Sequence, residues 1–444
     1  MTRIDALVRR AWIRFDDRLR FSRVVSECVA AANYLAYLVR SHGRARAAVA
    51  RNTVLLFRAA RFTRSPQLRT ALRNALRPAV TERDGGAFAS PAGQLRSTAP
   101  ARGVTVRSVL LLKPAGPGGE KGVLFAGNEI PWPDLADAAR RTPLLERYDL
   151  VALSAWSPPK YEKLAQFIGT SRDPVLVGIS NPDDMTGYAL LAPAIVPIPL
   201  MASDWLNPED FSPRPRSERD IDILMVAGWG RYKRHWLLFQ ALRDLPHTLN
   251  VVLIGRASGG RTVDHVRAEA RMFDVRQDLT YLTDVPIHEV YAYQGRARVS
   301  VILSGREGAC VAVTESFFAD TPVAVMSDAH IGSKVHINAE TGMLLSRDGL
   351  GRQVARFLEA SDTFRPRAWA ITNISCERSS ARLNELLRQR AIGAGRPWTA
   401  DLAPLFRRYF VPRYLRPSDE GMLASGRADL RDRYGVTLVP PEEN

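Results

Sequence analysis

Two glutamates eight residues apart, Glu307 and Glu315, lie in the stretch of this chain best suited to chemistry, Ser304-Gly-Arg-Glu-Gly-Ala-Cys-Val-Ala-Val-Thr-Glu315. The stretch follows a strand-like run and brings Gly308-Ala309 to the entrance of a predicted helix. The first amides of a helix lack intrahelical acceptors and, with the helix dipole, attract anions. Glu315 falls on the second turn, and helical side chains lean back toward the N-terminus, so both carboxylates border one phosphate-sized pocket. A carboxylate beside a phosphate is repelled unless hydroxyl donors occupy it. A ligand that joins phosphate to sugar hydroxyls, as a nucleotide sugar does, meets both demands.

The elements that must position these residues are legible in the periodicity. Strand-like runs at Ile221–Ala227, Asn250–Gly255, Leu279–Leu282, Val299–Leu303, Val323–Met326 and Gly342–Leu344 alternate with helical segments at His235–Arg243, Thr262–Met272, Glu289–Gln294, Cys310–Ala319 and Gly351–Ala360. Such alternation predicts a parallel sheet covered on both faces. An earlier block behaves the same way, with strand-like runs at Val106–Leu112, Gly122–Ala126, Leu150–Leu153, Pro174–Ile179 and Ala194–Ile198, and helical segments at Leu135–Arg147 and Tyr161–Ile168. The Pro-rich stretch Ser212–Arg216 separates the two blocks as a hinge. The fold class is therefore α/β, with two Rossmann-like lobes.

Before residue 82 the pattern is helical. Ile4–Leu19 carries apolar residues on one face, Val24–Val39 is apolar nearly all round and reads as a buried helix, and Val49–Phe62 and Leu68–Leu76 are shorter. The expected organisation is a basic helical extension over 1–80, a linker over 81–105, an N-terminal lobe over 106–215, a C-terminal lobe over 216–390 and a helical tail over 391–444.

Composition bounds the rest. The chain has 444 residues, 46% hydrophobic and 24% charged, which excludes global disorder. Val29–Val39 is too short to cross a bilayer, and Pro193, Pro197 and Pro199 interrupt Tyr188–Ala202. Neither a secretory signal nor a disulfide or zinc pattern is read from the N-terminus or from Cys28, Cys310 and Cys376, so a reducing cytosol is expected. The net charge of +16 is uneven: residues 1–105 hold twenty arginines, no lysine and six acids, and the remainder is near neutral. A basic front end suits an anionic surface. A helix bearing Trp12 and Phe15 with Arg at its polar edge favours a membrane. Nucleic acid is a rival without a recognisable fold to support it, and simple solvation of the arginines is the bland alternative. His330 and His336 have no partners at metal-ligand spacing, and no metal is expected.

The stretch from Gly228 to Leu345 resembles the retaining, GT-B-fold glycosyltransferases marked by an E-x7-E signature, the family also called glycosyl transferases group 1. Thr321-Pro322-Val323, Ser327-Asp328 and Thr341-Gly342-Met343-Leu344-Leu345 are similar to the family's later elements in the same order, and Tyr281–Tyr291 to its upstream strand and turn. The likeness covers Ile221–Leu345 and, more loosely, Val106–Phe211.

It implies that Glu307 approaches the donor sugar's hydroxyls, that Gly308, Ala309 and Cys310 give amides to sugar and phosphate, and that Glu315 holds the ribose. Arg231 and Lys233 are similar to the family's diphosphate-neutralising pair, with Arg234 as the alternative arginine, and Asp284 and Val285 would lie near the base. In the first lobe, Gly116, Gly118 and Gly119 of Lys113–Gly122 stand for the family's glycine loop. The family's first-lobe histidine has no counterpart, since residues 106–220 contain none; Asn128, Glu129 and Trp156 are the remaining strand-end candidates.

The resulting expectation is a metal-independent enzyme that moves a sugar from a nucleoside diphosphate sugar to a hydroxyl acceptor, with a lipid-linked acceptor as one candidate. It would be cytoplasmic, peripheral on the inner face of the plasma membrane, and at work in bacterial polysaccharide or glycolipid assembly. The alternative is a catalytically silent GT-B protein serving as a membrane or assembly scaffold.

Overall fold

The computed structural model describes residues 3–43, 46–81 and 103–439. The linker expected at 81–105 lies mostly outside them. Four helices come first: α1 (Arg3–Arg20), α2 (Arg23–Ser41), α3 (Arg46–Phe62) and α4 (Pro66–Thr81). The chain divides into two units, one made of Met1–Ser22 with Leu206–Arg378, the other of Arg23–Trp205 with Ser379–Asn444.

This division corrects the expected helical extension. α1 belongs to the unit that carries the second α/β block, whereas α2, α3 and α4 belong to the unit that carries the first. α2 is not the buried helix its composition predicts: Ala30 and Tyr37 are buried, but Val24 and Val39 are 72% and 76% exposed. One neighbouring helix covers one face, and among the described residues α3 is the element packed closely against α2. Their junction is fixed by Glu27, which accepts from the Thr63 hydroxyl and the Arg64 amide, each at 2.6 Å.

In the same unit, β1 (Val104–Val106) precedes a five-stranded sheet of β2 (Val109–Lys113), β3 (Gly122–Ala126), β4 (Tyr148–Leu153), β5 (Val175–Gly178) and β6 (Ile195–Ile198), paired in chain order. β3 to β6 are parallel; β2 is antiparallel to β3. The expected run Val106–Leu112 is split because Ser108 turns the chain through a positive φ of 59°. The expected helix Leu135–Arg147 ends at Arg141 and resumes at Leu144, since Pro143 cannot donate within a helix.

The other unit holds six parallel strands, β7 (Ile221–Val226), β8 (Val251–Gly255), β9 (Leu279–Thr283), β10 (Ala297–Ile302), β11 (Val323–Met326) and β12 (Gly342–Leu345), in the order β12-β11-β10-β7-β8-β9. β8 shows why the sheet needs helices on both faces. Val251 and Leu253 enter one core cluster, Val252 and Ile254 another, so both sides of the strand are apolar. The expected hinge at Ser212–Arg216 is packed onto this unit: Arg216 donates to the carbonyls of Ser361 and Phe364, both at 2.6 Å.

After the helix Cys376–Gly393, the chain adds a hairpin, β13 (Leu405–Arg408) with β14 (Val411–Tyr414), and β15 (Val436–Leu438), which runs parallel to β1. The expected helical tail is thus a mixed segment built into the five-stranded unit. Leu402 and Leu405 join that unit's core beside Leu110, Leu112 and Phe125.

Candidate functional site

Numbered along the chain, the six-stranded order is 6-5-4-1-2-3, the doubly wound arrangement in which succession reverses between the first and fourth strands. Here the reversal falls between β7 and β10. Connections leaving the carboxyl ends of those strands diverge to opposite faces, and the crevice between them is where such sheets take ligands. The two connections are Ala227–Arg234 and Leu303–Cys310, which hold the sequence's cations and the first of its two acids.

The crevice is cross-linked at its mouth. The Gly305 amide donates to the Tyr232 carbonyl at 2.9 Å, and Lys233 Nζ lies 2.6 Å from Glu307 Oε2. Among the described residues, Glu307 Oε1 is buried without a donor at hydrogen-bond geometry, with the Cys310 thiol beside the carboxylate. The strand-end loop is held from behind by residues 330–333: the Glu307 amide donates to His330, while Gly332 and Ser333 donate to the carbonyls of Gly308 and Ala309. Among the described residues, the amides of Gly308, Ala309 and Cys310 have no acceptor. They open the helix Val311–Phe318, so its positive end is presented to the crevice.

Backbone strain marks the same loops. Arg234, Asp284 and Cys310, all non-glycine, adopt left-handed φ values of 55°, 55° and 51° at the carboxyl ends of β7, β9 and β10. Such conformations persist where the surroundings over-determine them, and they gather at binding sites.

Burial sets the protonation states. Burial works against the Lys233 ammonium, but the groups around it, the Glu307 carboxylate foremost, together hold it above its ordinary value. Burial pushes the Glu315 carboxyl up to about 7, against a hydrogen bond from Gln294. Burial, then the charge of Glu307, raises the Cys310 thiol, which makes it a packing residue rather than a nucleophile. His235, enclosed beside Arg261 and Lys233, is depressed to about 3, with burial the larger cause.

The expected residues are therefore brought together unequally. Lys233, Glu307, Gly308, Ala309, Cys310 and Glu315 share the crevice. Asp284 reaches the same sheet edge, its amide bonded to Gly255 at 3.0 Å, and Val285 packs into the core on that side. Arg231 is exposed and pairs with Asp16 of α1 at 3.4 Å. Arg234, only 1% exposed, is held by Asp17 of α1 at 2.7 Å and Asp328 at 3.3 Å, with its guanidinium over the Phe21 ring. Asp17 also receives Arg347 at 2.9 Å.

Asp17, Phe21 and Arg347 were not singled out from sequence. One signal was available: Asp16-Asp17 lies near the C-terminal end of an Arg-rich helix, where the dipole disfavours acids. Arg20, one turn on, pairs with Asp16 at 2.7 Å, whereas Asp17 finds its partners outside the helix.

The glycine loop of the first block is a correction. Gly116, Gly118 and Gly119 connect β2 to the antiparallel β3, which sets them at the edge opposite the carboxyl ends of β3 to β6. The loop is also filled: Glu120 folds back to pair with buried Lys113 and accepts from the Thr399 amide and hydroxyl, both at 2.7 Å. Trp398 lies 3.6 Å from the Lys113 ammonium. Eight residues suffice for a hairpin but not for a parallel crossover, which needs a dozen or more. Asn128, Glu129 and Trp156 do follow the carboxyl ends of β3 and β4, where Glu129 Oε1 accepts from the amides of Ala155 at 2.6 Å and Trp156 at 3.2 Å.

The switch point of this doubly wound unit thus brings Lys233, Glu307 and the helix-entrance amides of Gly308–Cys310 together. Residues 207–365 match the family model described as "Glycosyl transferases group 1". No curated relative matches the sequence. Among solved structures, the chain is similar to sucrose-phosphate synthase from Thermosynechococcus elongatus, at 16% identity and a TM-score of 0.43, over 56% of this chain and 69% of that one. It is similar to HepE from Anabaena in complex with UDP and glucose, at 13% identity and 0.47, over 58% and 76%. A glycosyltransferase from Rickettsia africae gives 13% and 0.44, over 58% and 82%. Among the described residues, no helix is long and apolar enough to cross a membrane.

Proposed function

We propose that the chain is a glycosyltransferase that moves a sugar from a nucleoside diphosphate sugar to a hydroxyl acceptor, with retention of anomeric configuration. The observation that carries this reading is the Lys233–Glu307 pair across the β7/β10 switch point, within the stretch that matches the family model. Glu307 offers its Oε1 to a sugar hydroxyl, and Lys233 and Arg231 meet the diphosphate as it leaves with added negative charge. The amides of Gly308–Cys310 take the remaining phosphate oxygens, and Glu315 takes the ribose.

The Cys310 thiol beside Glu307 is held protonated by burial, so we read the attack as front-face, with the departing phosphate accepting the hydroxyl proton. We assign the diphosphate charge to side chains and read the reaction as metal-independent. The acceptor is assigned to the five-stranded unit, where Ile130 and Trp156 are exposed after β3 and β4.

The basic front end, with the exposed apolar residues of α1, supports a peripheral position on the inner face of an anionic membrane, in polysaccharide or glycolipid assembly. A catalytically silent scaffold is the second reading, favoured by the absence of histidine from residues 106–220. The test is a panel of nucleotide sugars, followed by melting temperature and released nucleotide, with EDTA present in half of the reactions. A ligand at 100 times its dissociation constant adds about 2.7 kcal/mol, a shift of several degrees. The expected result is a shift with one base and turnover that survives EDTA. A shift without turnover on any acceptor favours the scaffold, and no shift with any nucleotide sugar ends both readings.

A further inference from the structure

The cations on the β7/β10/β12 side of the crevice are not vacant, and what fills them belongs to the chain itself. Arg234 follows β7 and Arg347 follows β12, so both lie at the carboxyl edge of the sheet, where ligands of this architecture sit. Asp17 of α1 is only 4% exposed and receives both guanidiniums, Arg234 at 2.7 Å and Arg347 at 2.9 Å. Asp16, one residue earlier, pairs with Arg231. Phe21 packs against Gly305, where any Cβ would collide with its ring, and its ring centroid lies 4.3 Å from the Arg234 guanidinium. A carboxylate between two arginines at the ligand edge of a sheet has the form of an anion site already filled.

We propose that Arg234 and Arg347 form an oxyanion-binding site for a phosphate group of a nucleoside diphosphate, and that Asp17 occupies it as a built-in competitor that the ligand displaces. The inference rests on the reading of the crevice as a nucleotide-sugar site, which it deepens by adding Arg347 and a gate. Three observations favour a displaceable plug over a permanent brace. Among the described apolar side chains of α1, Ala6 is buried in the unit's core and Ile13 partly so, and ion pairs supply much of the rest of its seat. Two further ties, Arg10 to Asp274 at 3.2 Å and Arg14 to Gln240 at 3.0 Å, reach the surface of the unit. Asp328, also bonded to both arginines, stays with them after the exchange, so they are never left without a counter-charge.

The experiment compares the full-length chain with its Asp16→Asn/Asp17→Asn variant by titration calorimetry, using inorganic pyrophosphate and UDP as probes. Emptying the site removes the competitor, and the expected result is about tenfold tighter pyrophosphate binding by the variant. Arg10→Ala loosens α1 without touching the site and should move affinity the same way by a smaller factor; it keeps the test decisive if the double variant does not fold. In the unmodified chain, pyrophosphate should speed tryptic cleavage at Arg18 and Arg20. Unchanged or weaker pyrophosphate binding in both variants, with cleavage unaffected, overturns the proposal. UDP binding that ignores the variants leaves the nucleotide reading standing and removes the plug. A gain for pyrophosphate with none further for UDP keeps the anion site and removes the nucleotide.

Discussion

The Lys233 ammonium lies 2.6 Å from the Glu307 carboxylate, joining the loop after β7 to the loop after β10 where the six-stranded sheet reverses its strand order. Both side chains are largely buried, and each is the other's counter-charge. Removing one partner strands a charge, which costs about 3–5 kcal/mol at a buried pair, whereas replacing both with apolar residues of similar size costs far less. Lys233→Met and Glu307→Leu should each lower stability by about 3 kcal/mol, and the double variant by clearly less than their sum. All three should lose donor binding. A double-mutant cycle in urea, read beside nucleotide titration, checks both halves.

Glu315 gives a pH signature. Its folded-state value near 7 exceeds the ordinary carboxylate value because burial favours the neutral acid. The native state then holds a proton that the unfolded chain has released. This contribution to stability is complete below about pH 4.5 and is lost as pH rises to 7, an effect of about 3 kcal/mol. Glu315→Gln should flatten that fall when stability is measured from pH 4 to 8. The same variant should weaken nucleotide binding most above pH 7, where the native carboxylate is charged.

His235 acts in the opposite sense. Buried beside Arg261 and Lys233 with its folded value near 3, it is neutral in the native state but charges in the unfolded chain below pH 6.5. Its contribution is complete above 6.5 and lost as pH falls toward 3. Between 4.5 and 6.5 the two residues oppose each other, so the unmodified chain should show a flat profile there. His235→Gln should expose the slope due to Glu315, and Glu315→Gln the slope due to His235.

Gly305→Ala probes the seat of α1. A Cβ at this position meets the Phe21 ring, and overpacking of this kind costs about 1–3 kcal/mol unless the ring leaves. Faster tryptic cleavage at Arg18 and Arg20, with the melting temperature nearly unchanged, is the expected outcome. A large fall in melting temperature without faster cleavage would mean that Phe21 is locked in place.

The outward face of α1 can be tested separately. Val8, Trp12, Phe15 and Leu19 recur at helical spacing and are exposed, Trp12 at 61%, with Arg9 and Arg18 on either flank. Burying an aromatic side chain is worth about 2 kcal/mol. Trp12→Glu/Phe15→Glu should therefore weaken binding to vesicles containing anionic lipid by at least about tenfold in a sedimentation assay. Binding that is equal on neutral vesicles, or untouched by the pair, would assign this face to another partner.

How much was legible in the chain follows from which interactions are local. β3 and β11 have the bounds their apolar runs predict, and the helix Val311–Phe318 begins one residue after Cys310, where the strand-to-helix pattern changes. Periodicity is a property of neighbouring residues, so sequence alone determined these elements, their alternation and the spacing of Glu307 and Glu315. The order in which the strands assemble is different in kind. That β7 lies beside β10, which brings Lys233 to Glu307, depends on contacts between residues 74 positions apart.

The tertiary structure alone also turned the Gly116–Gly119 loop away from the carboxyl edge, because an antiparallel β2 reverses the chain there. It alone separated α1 from α2, and it seated Asp17 between Arg234 and Arg347 across more than two hundred residues of sequence. A charge in a helix shows that some partner is needed; only the fold decides which one comes within reach.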